Sequence, residues 1–446
     1  MRCPLIFSAL LAVACVRASS PEPTNPRPPR GCRKADPPPT LAPTSELEPI
    51  RSHVTLDVAV TEARLRQEIG RELPEVLDSG QQTVSGFRVD YVVRRGDLAF
   101  ELSGDRLVLS TDVTANASVC KTLGPFCPVL GRCGPKLEIR ASVPVVLKSD
   151  YTYDPSDVDA KLVSGCTIAG IDGSREIERR ATSEALHAQR QIDRSLPVIR
   201  PLAAEGWDAL HGSIGLDGET CLRVQPRQIT QERPQQADGV LSVAASIAGE
   251  LTIEHPCADE AAPAATDLPP LEISDEVPRG IALRAPLRMT WADVLAALSA
   301  ALDGQVSPRH LAVQSALIQG KPRLVLELER ENDSCGPVWL AAEPWYDAKA
   351  GVIRLRQVAV VPNWKPGRKL DELPAQVERH ARIPLPLDLE DLRQRLDRFP
   401  QGWLPRIDGV DIDIHLDPPG VERVALDASG VVAVIAVMGR ASVRVE

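Results

Sequence analysis

The stretch "HVTLDVAVTEARLRQEIGREL", His53 to Leu73, changes its period in mid-course. Up to Thr61 the apolar residues Leu56, Val58 and Val60 alternate with others, the pattern of a strand with one buried face. Beyond Thr61, a residue suited to cap a helix, the spacing lengthens, and Leu65 and Ile69 follow four and eight residues later. The stretch predicts a strand that runs directly into an amphipathic helix.

The unit recurs. "GIALRAPLRMTWADVLAALSAAL", Gly280 to Leu302, has Ala285, Leu287 and Met289 ahead of the cap Thr290, then Val294 and Leu298. "ARIPLPLDLEDLRQRLDRF", Ala381 to Phe399, has Ile383, Leu385 and Leu387 ahead of Asp388, then Leu392 and Leu396. One such pattern arises easily by chance; three in the same register argue for internal repetition.

A second repeat lies in the hairpins that begin at Cys221 and Ile412. In the first, Pro226 is followed by Gly239 and Gly249; in the second, Pro418 is followed by Gly430 and Gly439. Glycines before and inside strands mark turns, bulges or sharp bends. A helix precedes each hairpin. The earlier one carries Ile177, Ala181, Ala185, Ala188 and Ile192 on one face until Pro197 and Pro201 break or kink it. Both halves read strand, helix, long strands, helix, hairpin, so the expected fold is α+β with two duplicated domains. Their bounds are 51–265 and 271–446, joined through the Pro-, Ala- and acid-rich stretch 254–280.

The chain opens "MRCPLIFSALLAVACVRASS", with Arg2 ahead of an apolar run from Leu5 to Ala14. That run is shorter than the about 20 residues of a membrane span and fits a cleaved export signal. Leu11-Ala12-Val13-Ala14 before Cys15 resembles a bacterial lipobox, which implies a signal peptide over 1–14 and a lipid on Cys15. The other reading is cleavage near Ala18, with Cys15 discarded. Pro21 to Pro49 holds ten prolines in 29 residues, and residues 15–50 are expected to be an extended tether. Val16 replaces the Asp that retains such lipoproteins at the inner membrane, so the resemblance implies a bacterial outer-membrane location.

Export frames the cysteines. Cys32, Cys120, Cys127, Cys133, Cys166, Cys221, Cys257 and Cys335 form an even set, and in an oxidising compartment such a set is a disulfide framework. In "CKTLGPFCPVLGRCG", Cys120 to Gly134, three cysteines cannot all pair among themselves, and Cys166 is the expected outside partner. The spacing lacks the close Cys and His pairs of zinc sites, and C-x-x-C is absent. No metal and no cofactor are expected.

Net charge of −10 argues against nucleic acid, and the chain as a whole offers no polybasic patch for anionic lipid. Seven histidines are scattered, and neither a G-x-S-x-G elbow nor a phosphate loop is present. The chain reads as a non-enzyme.

The lipobox, the tether, "RELPEVL", "GWDALHGSIGL" with "LRVQP", "LPPLEISDEVPRGIALRAPLRMTWADVLAAL" and "GVVAVIAVMGRASVRV" resemble bacterial lipoproteins of the domain of unknown function 4403 family. The resemblance runs from about His53 to Glu446 and transfers no catalytic signature. Its element order is similar to the tubular lipid-binding (TULIP) superfamily, in which a long curved antiparallel sheet wraps around a helix and the groove between them holds acyl chains. That implies an envelope-anchored carrier of lipid or another hydrophobic ligand, attached to the membrane through its N-terminal lipid. The groove lining expected from the repeats is Leu65, Ile69 and Leu73, with Val294, Leu298 and Leu302, and alternating strands opposite. The alternative is a periplasmic or surface protein-interaction module whose cores are closed.

Overall fold

The computed structural model describes residue 37 and residues 39–445, apart from 46, 85–86, 122–125, 169, 217–218, 258–266, 305, 307, 331–334, 363, 366–369, 371 and 399–409. The signal peptide, Cys15 and Cys32 lie outside the described residues.

The first half begins with strand β1 (Arg51–Thr61), helix α1 (Glu62–Glu72) and strands β2 (Val76–Val84), β3 (Phe87–Arg95) and β4 (Ala99–Ser103). There follow β5 (Arg106–Lys121), β6 (Val129–Cys133), β7 (Lys136–Pro144), β8 (Asp157–Ser164), β9 (Thr167–Ile168) and β10 (Ile171–Asp172). Helices α2 (Ser174–Ser195) and α3 (Ile199–Leu210) lead into β11 (Gly212–Gly215), β12 (Cys221–Glu232), β13 (Gln235–Ala237), β14 (Val240–Glu254) and β15 (Glu272–Ser274). The second half begins with β16 (Ile281–Thr290) and α4 (Trp291–Leu302), then β17 (Pro308–Ile318), β18 (Lys321–Arg330), β19 (Val338–Asp347) and β20 (Val352–Val360). It closes with α5 (Leu373–His380), β21 (Arg382–Pro384), α6 (Leu389–Arg398), β22 (Val410–Leu416), β23 (Gly420–Leu426) and β24 (Gly430–Val445).

The three caps stand at the change of period. Thr61 Oγ1 accepts the Arg64 N–H at 3.2 Å. Thr290 and Asp293 form a reciprocal capping box. Asp388 Oδ1 accepts the Glu390 N–H at 2.8 Å, just ahead of α6. Alternating runs greatly outnumber helical ones, so the protein is mostly β, with curled antiparallel sheets and few helices, and α+β understates the sheets.

The first two strand–helix units open the two halves, and their strands meet in one sheet ordered β11-β12-β14-β1-β16-β24-β22, whereas β21 of the third unit pairs with β20 in another sheet. β1 pairs with β14 from Arg51↔Glu250 to Thr61↔Val240, and β16 pairs with β24 from Ile281↔Gly439 to Thr290↔Gly430. β1 touches β16 at His53↔Ala282 and Val54↔Ile281. A flanking sheet β2-β3-β5-β7-β8 belongs to the first half, and β17-β18-β19-β20-β21 to the second.

Gly239 takes φ 72° in the turn into β14. Inside β14, a Cβ on Gly249 would lie 2.6 Å from Gln225 O, where β12 slips register between Pro226 and Gln228. Only glycine admits that close approach at the bulge.

β15 falls within 271–446 yet pairs with β12, Thr230↔Glu272, so this short strand packs with the first half. Next to it, Thr55 on β1 donates its Oγ1–H to Pro278 O at 2.6 Å, and its N–H to Gly280 O at 2.9 Å. The end of the Pro-rich stretch is also anchored. Ala42 bridges Leu317, and Thr44 Oγ1 lies 2.5 Å from Ser315 Oγ.

Disulfides join Cys120 to Cys127, Cys133 to Cys166, and Cys221 to Cys257. Cys335 is disulfide-bonded as well. Among the described residues, no helix is long and apolar enough to cross a membrane.

Candidate functional site

The first two strand–helix units bury their helices very differently. On α4, Val294, Leu298 and Leu302 have 0% exposure and pack in one core with Leu324, Leu326 and Leu340. On α1 no residue is buried, and Leu73, just past its end, is 39% exposed. The face of β1 that α1 leaves uncovered meets another helix, α3.

That face follows from alternation. Val54, Leu56 and Val58 point to one side of β1, opposite Ile247, Ala245 and Val243 of β14. β12 extends the rows, placing Ile229 beside Ile247 and Gln231 beside Ala245. Helix α3 lies over these rows because α2 ends at Ser195, ahead of Pro197. Pro201 is then the third residue of α3, where the missing N–H has no intrahelical partner to lose.

Toward the sheet α3 presents Ile199, Ala203, Gly206 and Leu210, with Trp207 and Ala209 beside them. Three of these six are small. They leave a cleft of about 520 Å³ between helix and sheet, lined also by Leu147, Tyr151 and Leu271. A Cβ added to Gly206 would meet nothing within 4 Å. This volume falls in the range of about 300–1,000 Å³ usual for small-molecule sites.

The polar side chains in the wall already have partners. Gln231 Nε2 donates to Val145 O at 3.2 Å, and its Oε1 accepts the Leu147 N–H at 3.1 Å. The Tyr151 hydroxyl donates to Pro269 O at 2.8 Å, and burial pushes its pKa up. Tyr151 holds φ 66°, a left-handed conformation that costs a non-glycine residue roughly 1–2 kcal/mol. Trp207 meets the His211 ring edge-on, with ring centroids 5.2 Å apart. These side chains shape an apolar slot; they do not form an acid–base pair.

The predicted lining and the observed cleft therefore overlap on the strand side only. Val294, Leu298 and Leu302 fill a closed core, because α4 is packed against β16, β17, β21, β24 and α5. Leu65 and Ile69 are half-buried on α1, and neither they nor Leu73 line the cleft. The residues missed are those of α3. Their signal was present: Ala203, Gly206 and Ala209 recur every three residues among Ile199, Trp207 and Leu210.

A larger depression of about 810 Å³ lies by Trp345 and Tyr346, beside Ser45, Leu47, Glu48 and β23. It is polar and ion-paired. Glu343 is held by Arg323 at 2.8 Å and by Arg356, and the Arg356 guanidinium foremost keeps its carboxyl below the usual carboxylate range. Among the described residues, no group of three or more His, Cys, Asp or Glu stands close enough to hold a metal.

A family model described as a domain of unknown function, DUF4403, matches residues 51–445. The chain belongs to the DUF4403 family. The match spans all three strand–helix units and the whole central sheet of this DUF4403 chain. No curated protein matches it. Among solved structures it is similar to a lipopolysaccharide binding protein at 12% identity, covering 89% of this chain and 99% of that chain, with a TM-score of 0.26. It is also similar to P47 of Clostridium botulinum E1 at 9% identity, covering 88% and 98%, with a TM-score of 0.21. Likenesses of this size carry no ligand and no residue role across.

Proposed function

We propose that this DUF4403 protein holds a hydrophobic ligand, a lipid acyl chain, in the cleft between α3 and the β1–β14–β12 face, and carries it without chemical change. One observation supports this above the rest: an apolar slot of about 520 Å³ whose polar wall side chains, Gln231 and Tyr151, are already hydrogen-bonded to backbone. Apolar surface left open to water costs about 25 cal/mol per Å², so an acyl chain entering this slot gains that free energy. Such a ligand needs no polar partner inside.

The carrier is exported, as its disulfides fit an oxidising compartment. In this reading it is anchored by lipid on Cys15 at the bacterial outer membrane, as a TULIP-like protein of two duplicated domains. The matched pairings β1 with β14 and β16 with β24 support the duplication. The sealed core around Leu298 favours a different role for the second half, that of a closed module for contact with proteins.

Native mass spectrometry of the protein released gently from a bacterial envelope tests the reading. The expected result is a bound lipid that dissociates as one species per chain. A chain of bare mass from every preparation, despite available lipid, counts against it.

A further inference from the structure

The net charge of −10 conceals a local imbalance. From Val113 to Leu137 the chain contains no Asp or Glu, while Lys121, Arg132 and Lys136 fall within it. All three basic side chains are exposed. Lys121 and Arg132 lie on the β5–β6 hairpin, where Cys120 stands opposite Val129 and Ser118 opposite Arg132, while Lys136 opens β7 farther along β5, opposite Thr114. The Cys120–Cys127 disulfide closes this end of the hairpin, and the Lys121 N–H donates to Pro128 O at 3.2 Å.

The hairpin also carries exposed apolar side chains. Phe126 is 72% exposed, Val129 57% and Leu130 42%. A solvated hairpin has no use for a phenylalanine so open, and scattered exposure of single residues would not place three within five positions. The nearby β3 strand adds Arg88 opposite Cys120, and Asp90 opposite Ser118 is taken up by Arg88 at 3.2 Å. Past the hairpin, the first acid is Glu138 on β7.

We infer that the β5–β6 hairpin docks on an anionic lipid bilayer, with Phe126, Val129 and Leu130 entering the interface and Lys121 and Arg132 meeting phosphate headgroups. Charge decides the occupant. A basic fringe around an apolar tip, on an otherwise acidic chain, complements an anionic membrane and is repelled by little of it. The Cys120–Cys127 disulfide ties the two sides of the hairpin together before contact, which reduces the ordering cost of docking. This inference stands apart from the cleft, which α3 and β1 form without any hairpin residue.

The test is flotation of the full chain with vesicles, all samples carrying Cys15→Ser so that no acyl group is attached there. Vesicles are of phosphatidylcholine alone, or of equal parts phosphatidylethanolamine and phosphatidylglycerol. The unaltered hairpin is expected to bind the anionic vesicles. Phe126→Ser with Leu130→Ser should weaken that binding about tenfold or more. Lys121→Gln with Arg132→Gln should weaken it roughly fivefold per charge, and should leave phosphatidylcholine binding unchanged. All substituted side chains are exposed, and unchanged circular dichroism confirms that each variant folds. Anionic-vesicle binding that survives both double substitutions overturns the inference, as does an unaltered hairpin that floats equally with both vesicle types. Failure of the unaltered hairpin to float at all overturns it too.

Discussion

Leu56 on β1 stands directly opposite Ala245 on β14, and Gln231 on β12 follows in the same row across the sheet. A long apolar side chain, a methyl and a tied-down amide make that row uneven, with the dip at its centre. Helix α3 crosses above with Ala203, Gly206 and Ala209 facing the cleft. Small residues on both walls are what keep the space open.

The first prediction concerns Gly206. A Cβ there meets nothing within 4 Å, and glycine inside a helix is destabilising by roughly 0.5–1 kcal/mol relative to alanine. Gly206→Ala is therefore expected to raise stability by about that amount, read as a shift in the thermal midpoint. A fall in the midpoint would show that α3 packs more tightly on the sheet than described.

The first two strand–helix units should respond unequally to truncation. Leu298 has 0% exposure, and Leu298→Ala should cost about 2–5 kcal/mol in chemical denaturation. Leu73, 39% exposed, should tolerate Leu73→Ala within about 0.5 kcal/mol. Equal losses would contradict the closed core under α4 and the exposed position of α1.

Asp193 ties α2 to the segment before β8. It accepts the Ser156 N–H at 2.8 Å and the Ser156 hydroxyl, and these two bonds, the hydroxyl's foremost, lower its pKa. A carboxyl with a lowered folded pKa contributes stability above its unfolded pKa, roughly 4, and loses it as pH falls through the folded value. Asp193→Asn should thus destabilise at neutral pH, and its deficit against the parent should shrink on acidification below about pH 4. A deficit constant with pH would remove the carboxylate from the account.

Removing the Cys133–Cys166 bridge by Cys133→Ser with Cys166→Ser should cost about 2–4 kcal/mol, since the bridge closes a separation of 33 residues. Peptide mapping without reduction checks the connectivity itself. Recovery of Cys166 as a free thiol would contradict it.

Much of the architecture could be read where local chemistry determines it. Thr61, Thr290 and Asp388 mark helix starts because a cap is a contact over two or three residues. Cys166 emerged because three cysteines in one hairpin must send one bond outward. Pairing across distant segments leaves no local period, so neither the union of β1 with β16 nor the attachment of β15 to β12 could be foreseen. The cleft was half legible. Alternation gave the β1 wall, whereas α3 was obscured by Pro197 and Pro201, which read as the decay of one helix and not as the start of another. Burial of α4 was invisible for a related reason: its stripe looks like that of α1, and only the strands covering it differ.

The central claim is that the α3 cleft holds an acyl chain. Titration of the delipidated protein with a fluorescent fatty acid tests it most directly, comparing the parent with Gly206→Phe. Gly206 lines the cleft and a Cβ there meets nothing within 4 Å, so Gly206→Phe is expected to fill the space that saturable uptake by the parent requires. The account predicts affinity lower by about tenfold or more in the variant, with the thermal midpoint preserved. Equal uptake by parent and variant, or no uptake by the parent, would contradict it.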